Sequence, residues 1–120
     1  MPKNRWVEQG GKKVYVVDFS HTDAVGVKAA IQEGKAVISQ QAPLSLLCLV
    51  DATGTQFSLE VSDLVKDFAM HNKPYIKMTA IIGVVGIAKV VLNTTIAFTK
   101  RDNLVVKQDL REALAFLATK

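Results

Sequence analysis

The residues best placed to do chemistry form a short turn, Asp51-Ala52-Thr53-Gly54, at the end of an apolar run. The run, over residues 44–54, is typical of a strand that is buried on both faces of a sheet. Functional sites in open α/β sheets tend to lie where strands end and helices begin. The Thr53 hydroxyl is therefore a candidate phosphate acceptor, and a phosphate would add about two negative charges there. The alternative is a purely structural Asx-type turn in which Gly54 takes a positive φ.

A second group of polar residues, Asp18, Ser20 and His21, follows a predicted strand. A catalytic triad would require these three side chains to converge in a cleft. A local S-H-T sequence at a helix start is far more often N-terminal capping, and no G-x-S-x-G elbow occurs in the chain. We therefore predict no catalytic residues and no enzyme activity, with a small hydrolase around these residues as a minor alternative.

Metal and cofactor sites are not expected. His21 and His71 are far apart in the chain, and neither has a second ligand at metal spacing. Gly83 and Gly86 open a helix after a strand, and such a helix start can hold an anion, but the pattern matches neither common phosphate-binding motif. A tight strand-to-helix turn is the favoured interpretation. Cys48 lies within the apolar run, where an inert buried thiol is expected.

The composition is that of an ordinary soluble globular protein, with 49% hydrophobic and 22% charged residues in 120. This length predicts one domain over residues 1–120. The net charge of +4 lies in short basic pairs without interleaved aromatic residues, so no nucleic-acid partner is expected. No apolar stretch reaches the about 20 residues of a bilayer span, so no stable membrane insertion is expected. The single cysteine and the absence of a signal-peptide run favour the cytoplasm.

The hydrophobic periodicity predicts an α/β protein in the order ββαβαβαβα, with four helices and a mixed, mostly parallel sheet. Gly10-Gly11 predicts a tight hairpin between the first two strands. Thr22 is predicted to cap the first helix, and Asn72 is predicted to cap the end of the second. The predicted strands cover residues 5–8, 13–19, 44–54, 75–82 and 103–106, and the predicted helices cover 22–38, 58–72, 86–100 and 109–119.

The third predicted helix is apolar nearly all round, over residues 84–98. A helix of this kind has to be covered on more than one side. We predict a homodimer or partner surface that includes this helix; a neighbouring helix that covers it is the alternative. The residues assigned to that surface are Val84, Ile87, Val91 and Ile96.

Several motifs together carry a resemblance to a known family. They are V-V-D-F-S at 16–20, L-V-D-A-T-G at 49–54, N-K-P-Y-I-K at 72–77, the glycine-containing stretch at 80–93, and E-A-L-A-F-L near the end. With these motifs the chain resembles the SpoIIAA-like family of small bacterial proteins, which is related to the STAS domains of anti-sigma-factor antagonists. The resemblance covers nearly the whole chain and implies a SpoIIAA-like, STAS-like fold.

The resemblance also implies a function. In STAS antagonists a serine in a D-S-S-G turn is phosphorylated by a partner kinase, which switches binding to an anti-sigma factor. By motif, Thr53 takes the position of that serine and Asp51 that of the turn aspartate, with Gly54 after them. Asp18 or Asp23 would correspond to the acidic residue near the phosphosite. The polar stretch T-Q-F-S after the turn departs from the family pattern, in which the helix follows directly.

The expectation is therefore a non-enzymatic regulatory or partner-binding module, possessing no cofactor and switched by phosphate at the D-A-T-G turn. Its partners would be a second copy of itself and a regulatory kinase or anti-sigma-like factor. The alternative function is an apolar small-molecule or lipid carrier, which the apolar third helix permits. A carrier would need an internal cavity of roughly several hundred Å³.

Overall fold

The computed structural model describes residues 3–120 and confirms the predicted order of elements. The strands are β1 (Arg5–Gln9), β2 (Lys12–Asp18), β3 (Leu46–Asp51), β4 (Ile76–Ile82) and β5 (Leu104–Val106). The helices are α1 (Ala24–Ile38), α2 (Leu59–Asn72), α3 (Ile87–Thr99) and α4 (Leu110–Leu117). The predicted α/β class, with four helices and a mixed sheet, is likewise confirmed.

The five strands form one sheet in the order β1-β2-β3-β4-β5. β1 and β2 are an antiparallel hairpin, and β2 through β5 run parallel to one another. The hairpin turn depends on Gly10 and Gly11, whose φ angles are +56° and +78°, because side chains rarely tolerate that backbone region. Since parallel strands point the same way, the carboxyl ends of β2, β3 and β4 meet at one edge of the sheet.

Helices cover both faces of the sheet, which explains why the central strands lack polar alternation. On β2, Tyr15 and Val17 belong to a core cluster that includes α1 and α2 side chains. The intervening Val14 and Val16 point to the other face, where Ala113 and Leu117 of α4 complete a second cluster. The same division holds along β3, so the two clusters share the sheet as their common wall.

Two of the predicted helix caps are wrong. The N-cap of α1 is Asp23, whose carboxylate accepts hydrogen bonds from the backbone N–H of Val25 (3.2 Å) and Gly26 (3.3 Å). Thr22 instead packs against Gly26. A side chain at position 26 would collide with the Thr22 hydroxyl. Asn72 is the last residue of α2 rather than its cap: it is buried and contacts the His71 ring, and Lys73 is the cap.

The helix α3 is less symmetric than its apolar sequence indicates. Its inner face carries two buried threonines, Thr95 and Thr99. Each hydroxyl donates to the carbonyl four residues earlier, at 2.8 Å. These hydroxyls can therefore be buried without another hydrogen-bond partner. Its outer face leaves large apolar side chains in solvent, with Ile87 63% and Val90 59% exposed. Residues 3–120 therefore cover α3 on one side only.

Candidate functional site

The D-A-T-G turn lies at the carboxyl edge of the sheet and is held by the ends of both neighbouring strands. Asp18 and Asp51 are partners in the parallel pairing of β2 with β3. After them, the Phe19 N–H donates to the Asp51 carbonyl at 2.9 Å, and the His21 N–H donates to the Thr53 carbonyl at 2.8 Å. From the other side, the Ile82 carbonyl accepts from the Ala52 N–H at 2.9 Å. The backbone of the turn is therefore fixed by three chain segments.

Within the turn, side chains complete the hydrogen bonding. The Asp51 Oδ1 atom accepts from the Thr53 N–H at 3.0 Å, which is the Asx-type geometry expected for this sequence. Thr55 closes the loop, because its hydroxyl lies 2.8 Å from the Phe19 carbonyl and 2.9 Å from the Ala52 carbonyl. The Thr53 side chain is exposed, and its hydroxyl has no hydrogen-bond partner among residues 3–120. It is the one hydroxyl of the D-A-T-G turn, and it is free.

Glycines let neighbouring segments press against the turn. A side chain at Gly83 would come within 2.6 Å of the Thr53 Cα and 2.5 Å of its Oγ1 atom. A side chain at Gly54 would collide with the His21 ring, with its Cβ atom 2.7 Å from the His21 Cε1 atom and closer still to Nδ1. Both glycines also have positive φ, +77° and +65°. The positive φ of Gly54 was predicted from the sequence. The contacts of Gly83 with Thr53 and of His21 with Gly54 were not.

Asp18 lies beside the turn and is the anchor of a charged cluster. Its Oδ1 atom accepts from the Ser20 N–H (2.8 Å) and hydroxyl (2.5 Å), and its carboxylate faces Lys3 at 3.7 Å and Arg5 at 3.4 Å. Burial raises the pKa of this carboxyl, but the Ser20 hydrogen bonds and the two cations outweigh burial, and the net pKa is lowered. Asp18 is thus held in its charged form.

The remaining predicted site residues have other roles. Asp23 is exposed, and its carboxylate caps α1. Gly86 is the N-cap residue of α3 with a φ of +57° and no side-chain cap hydrogen bond. Of the four residues assigned to the dimer or partner surface, Ile87 is exposed and Val84 and Ile96 are half-buried. The fourth, Val91, is only 8% exposed and faces the interior, so it cannot belong to an outer surface. The large apolar side chains that are exposed in this segment are those of Val85, Ile87, Val90 and Phe98.

The geometry does not support the hydrolase alternative. The Ser20 hydroxyl donates to the Asp18 carboxylate. The Lys3 Nζ atom lies 3.3 Å from the Ser20 Oγ atom. The His21 ring packs at Gly54, and His21 and Ser20 share no hydrogen bond in the described part of the chain. In a Ser-His-Asp triad the histidine has to lie within hydrogen-bonding reach of the serine, and here the carboxylate occupies that position directly. Over residues 3–120, no group of three His, Cys, Asp or Glu side chains is placed to hold a metal ion.

The cavities do not match an apolar carrier either. The larger one, of about 750 Å³, is a groove at the amino edge of the sheet with four lysines in its lining. The smaller one, of about 480 Å³, lies on the outer surface of α2 and is lined by Leu59, Leu64 and three carboxylates. An apolar carrier needs a cavity that encloses its ligand in a mainly apolar lining. The first groove is as polar as it is apolar, and the second is a shallow depression open to solvent beside three carboxylates.

One buried charge was missed from the sequence. Arg101 follows α3 and is buried, and burial lowers its pKa. Its guanidinium donates to the Asn103 Oδ1 atom at 3.0 Å and to the Thr79 hydroxyl at 3.2 Å. Cys48, as expected, is a fully buried thiol, and burial raises its pKa to about 12. At neutral pH it is therefore protonated and unreactive.

Comparisons with known proteins address the fold. No protein-family model matches the chain, and no curated protein matches it. Among solved structures, it is similar to an anti-sigma-factor antagonist (STAS) domain protein from Planctomyces limnophilus, with a TM-score of 0.63 and 18% sequence identity. The match covers 96% of this chain and 97% of that one. The chain has the STAS fold. The fold implied by the sequence motifs is thereby confirmed over nearly the whole chain.

The helices were also compared with the requirements of a bilayer. Among residues 3–120, none combines the length and the apolar character that crossing a membrane demands.

Proposed function

We propose that the chain is a non-enzymatic regulatory module that binds protein partners and is switched by phosphate on Thr53. The observation that carries the proposal is the single free hydroxyl at the D-A-T-G turn. Thr53 is exposed, while the backbone around it is tied to the ends of β2 and β4. A kinase can reach such a hydroxyl, and a phosphate there would change the surface without having to unfold it.

The effect of the phosphate would be electrostatic. The carboxylate of Asp51 accepts the N–H of the same residue that would carry the phosphate, at 3.0 Å. A phosphate adds about two negative charges and three acceptor oxygens. Two like charges this close repel each other, and a partner seated on the turn would have to accommodate both. The unmodified turn would therefore favour the complex, and the modified turn would favour release.

The adjacent docking surface would be the outer face of α3. Gly83, which packs on Thr53, leads directly into the exposed Val85 and then into Ile87 and Val90. Scattered apolar residues on a surface need no explanation, but a contiguous patch indicates an interaction site. We propose that this face forms a homodimer or receives the regulatory partner, and that the protein acts in the cytoplasm, where a lone cysteine remains reduced.

The similar Planctomyces protein is described as an anti-sigma-factor antagonist. This supports a partner of the same class for the present chain, namely a kinase or an anti-sigma-like factor. The support comes from the shared fold and not from the turn sequence. The turn of the present chain carries threonine, and the segment after it is polar.

The test is affinity capture from the native cells, with phosphosite mapping of the purified protein. We compare the wild-type chain with Thr53→Glu, and use Gln56→Glu as the matched control because Gln56 is also exposed and lies three positions away. We expect Thr53→Glu to weaken partner capture about tenfold or more at unchanged melting temperature, and the control to leave both unchanged. Equal loss of capture in both variants would show that only local charge matters, and would contradict a switch at Thr53.

The dimer is tested separately by light scattering at micromolar concentration. Val90→Glu should convert a dimer into a monomer, because a charge would have to be buried in the interface. Gln32→Glu, at an exposed polar position of α1 outside the proposed interface, should leave the mass unchanged. A monomeric wild-type chain would exclude the dimer but not the regulatory partner.

A further inference from the structure

β5 is an edge strand of the sheet and is paired with β4. The carbonyl of Asn103, just before β5, and the N–H of Lys107, just after it, both bond to β4 at 2.9 Å. Residues of a parallel strand bond to a given neighbour alternately, so the N–H and carbonyl groups of Leu104 and Val106 point away from β4. No backbone group among residues 3–120 bonds to them. β5 therefore presents unpaired donors and acceptors to any chain that runs beside it.

The side chains of β5 do not oppose such pairing. The strand reads Leu-Val-Val; Val106 is 51% exposed, and Leu104 and Val105 are half-buried. Natural proteins discourage pairing at an exposed edge strand with charged side chains. The edge strand on the opposite side of the sheet, β1, carries Arg5 and Glu8, whereas β5 carries no charge. Of these two edge strands, β5 is therefore the one suited to accept a further strand.

The two faces of the sheet beside β5 differ in character. Val105 packs on the second core cluster, on the face that α4 covers. Because side chains alternate along a strand, Leu104 and Val106 point to the other face, which α1, α2 and α3 share. A strand added beside β5 would place every second side chain next to these two apolar residues.

The α4 face carries positive charge at this position. Lys107 continues the alternation of β5 onto this face, and its Nζ atom lies 4.4 Å from the centroid of the Phe116 ring. The Lys120 Nζ atom lies 4.8 Å from the same centroid, so two cations share one ring. Within residues 3–120, Glu112, at 4.0 Å from Lys107, is the one carboxylate in ion-pair contact with either lysine. The remaining positive charge favours acidic side chains on the strand that is added.

We propose that an extended segment of a partner protein adds beside β5 as a sixth, antiparallel strand. Its backbone bonds to Leu104 and Val106. Its apolar side chains lie on the α3 face, and the alternating acidic side chains lie near Lys107 and Lys120. A second copy of β5 fits less well, because it would bring another Lys107 to the face that already has excess positive charge. The proposal goes beyond the regulatory function, since neither Thr53 nor the outer face of α3 takes part.

The experiment uses the full chain and a synthetic peptide in which valine and glutamate alternate, V-E-V-E-V-E-V, labelled with fluorescein. Fluorescence anisotropy should show saturable binding. Binding should slow the hydrogen exchange of the Leu104 and Val106 amides about tenfold or more, because these amides gain hydrogen bonds. A peptide with lysine in place of glutamate should bind at least about threefold more weakly, because its charges are repelled by the lysines of the chain.

Methylation of the peptide backbone tests the strand pairing itself. In an antiparallel pair, residues directly opposite each other share a face of the sheet. The valine N–H groups of the peptide therefore face β5, and the glutamate N–H groups face solvent. N-methylation of the valines should abolish binding, and N-methylation of the glutamates should reduce it far less.

Variants of the chain test the edge strand. Val106→Pro removes an N–H that points away from β4, a position where an edge strand tolerates proline, and should weaken binding about tenfold or more. Val106→Thr keeps that N–H and should change binding less than about threefold. Lys107→Glu should weaken binding of the glutamate peptide about 3- to 10-fold and strengthen that of the lysine peptide, a reciprocal change that misfolding cannot produce. Lys28→Glu, at an exposed position of α1, is the charge control and should change both affinities less than about twofold.

Four results would overturn the proposal. The first is the absence of saturable binding by the glutamate peptide. The second is binding that survives N-methylation of the valines, which would exclude backbone pairing. The third is equal weakening by Lys107→Glu and Lys28→Glu, which would show general attraction to a basic protein. The fourth is slow, concentration-dependent exchange of the Leu104 and Val106 amides in the chain alone, which would assign this edge strand to a second copy.

Discussion

The two edges of the sheet are built in opposite ways. At the carboxyl edge, the turn after β3 is packed between His21 and Gly83, and most of its backbone N–H and carbonyl groups are hydrogen-bonded. At the amino edge, the strands begin beside an open groove whose lining carries lysines and a half-exposed tryptophan. The first region has little freedom to move and offers a single hydroxyl, whereas the second offers volume and charge.

This difference predicts different consequences of modification and substitution at the two edges. A phosphate on a rigid turn can change the binding of a docked protein, because the turn cannot rearrange to move the added charge away from the interface. The side chains that line an open groove are less constrained, so substitutions of the exposed ones should cost the fold little. Substitutions are therefore expected to change stability more at the carboxyl edge than at the amino edge.

The largest effect is expected from Gly83→Ala. The new Cβ would lie within 2.6 Å of the Thr53 Cα, and φ at this position is +77°, so both a backbone collision and backbone strain arise. We expect a loss of about 2–4 kcal/mol in the free energy of unfolding, measured by urea denaturation. Gly86→Ala is the control: φ is +57° but nothing lies within 4 Å, so strain alone should cost about 1 kcal/mol. Equal losses would mean that Gly83 does not clamp the turn.

A smaller effect is expected from Thr55→Val. The substitution keeps the shape but removes the hydroxyl that reaches the Phe19 and Ala52 carbonyls. The loss should be about 1–2 kcal/mol in urea denaturation. Thr53→Val, two positions earlier, should stay within about 0.5 kcal/mol of the wild type because its hydroxyl is free in solvent. The reverse order would contradict the division of the turn into a structural and an accessible threonine.

The smallest effect is expected from Asp18→Asn, and it should depend on pH. The pKa of Asp18 is lowered in the folded chain from its ordinary 3.8, so its contribution to stability is fully present above that value. It is lost as the pH falls through the folded-state pKa. At neutral pH the variant should be about 1 kcal/mol less stable than the wild type in urea denaturation. The two should converge as the solution is acidified, and a constant difference would assign the effect to packing.

The fold could be predicted from the sequence because its signals are local. Apolar runs, glycine pairs and helical periodicity are repeated in every element, and errors at single residues do not alter their order. The predictions that were wrong concern single residues that compete for the same hydrogen-bonding group. Asp23 outcompetes Thr22 as the cap of α1, and the inner face of α3 includes Thr95 and Thr99 because their hydroxyls bond within the helix.

The site was predictable only in part. The D-A-T-G turn could be recognised because its residues are contiguous and each has a local role. The packing of Gly83 on Thr53, and the convergence of Lys13 and Lys77 at one groove, depend on strand register between distant segments. Neither relation has a local sequence signal, although a glycine immediately after a central strand is an indication of close approach.

The placement of α4 has a consequence for how the domain opens and closes. In the described chain, α4 supplies the helical side of the second core cluster, over Val14, Val16 and Leu49. If α4 detached, these strand residues would meet water together, so detachment should expose the amides of β2 and β3 to hydrogen exchange at the same time. The central strands are then protected only as long as this short helix remains docked, and the slowest-exchanging amides of the sheet should share one opening free energy with α4.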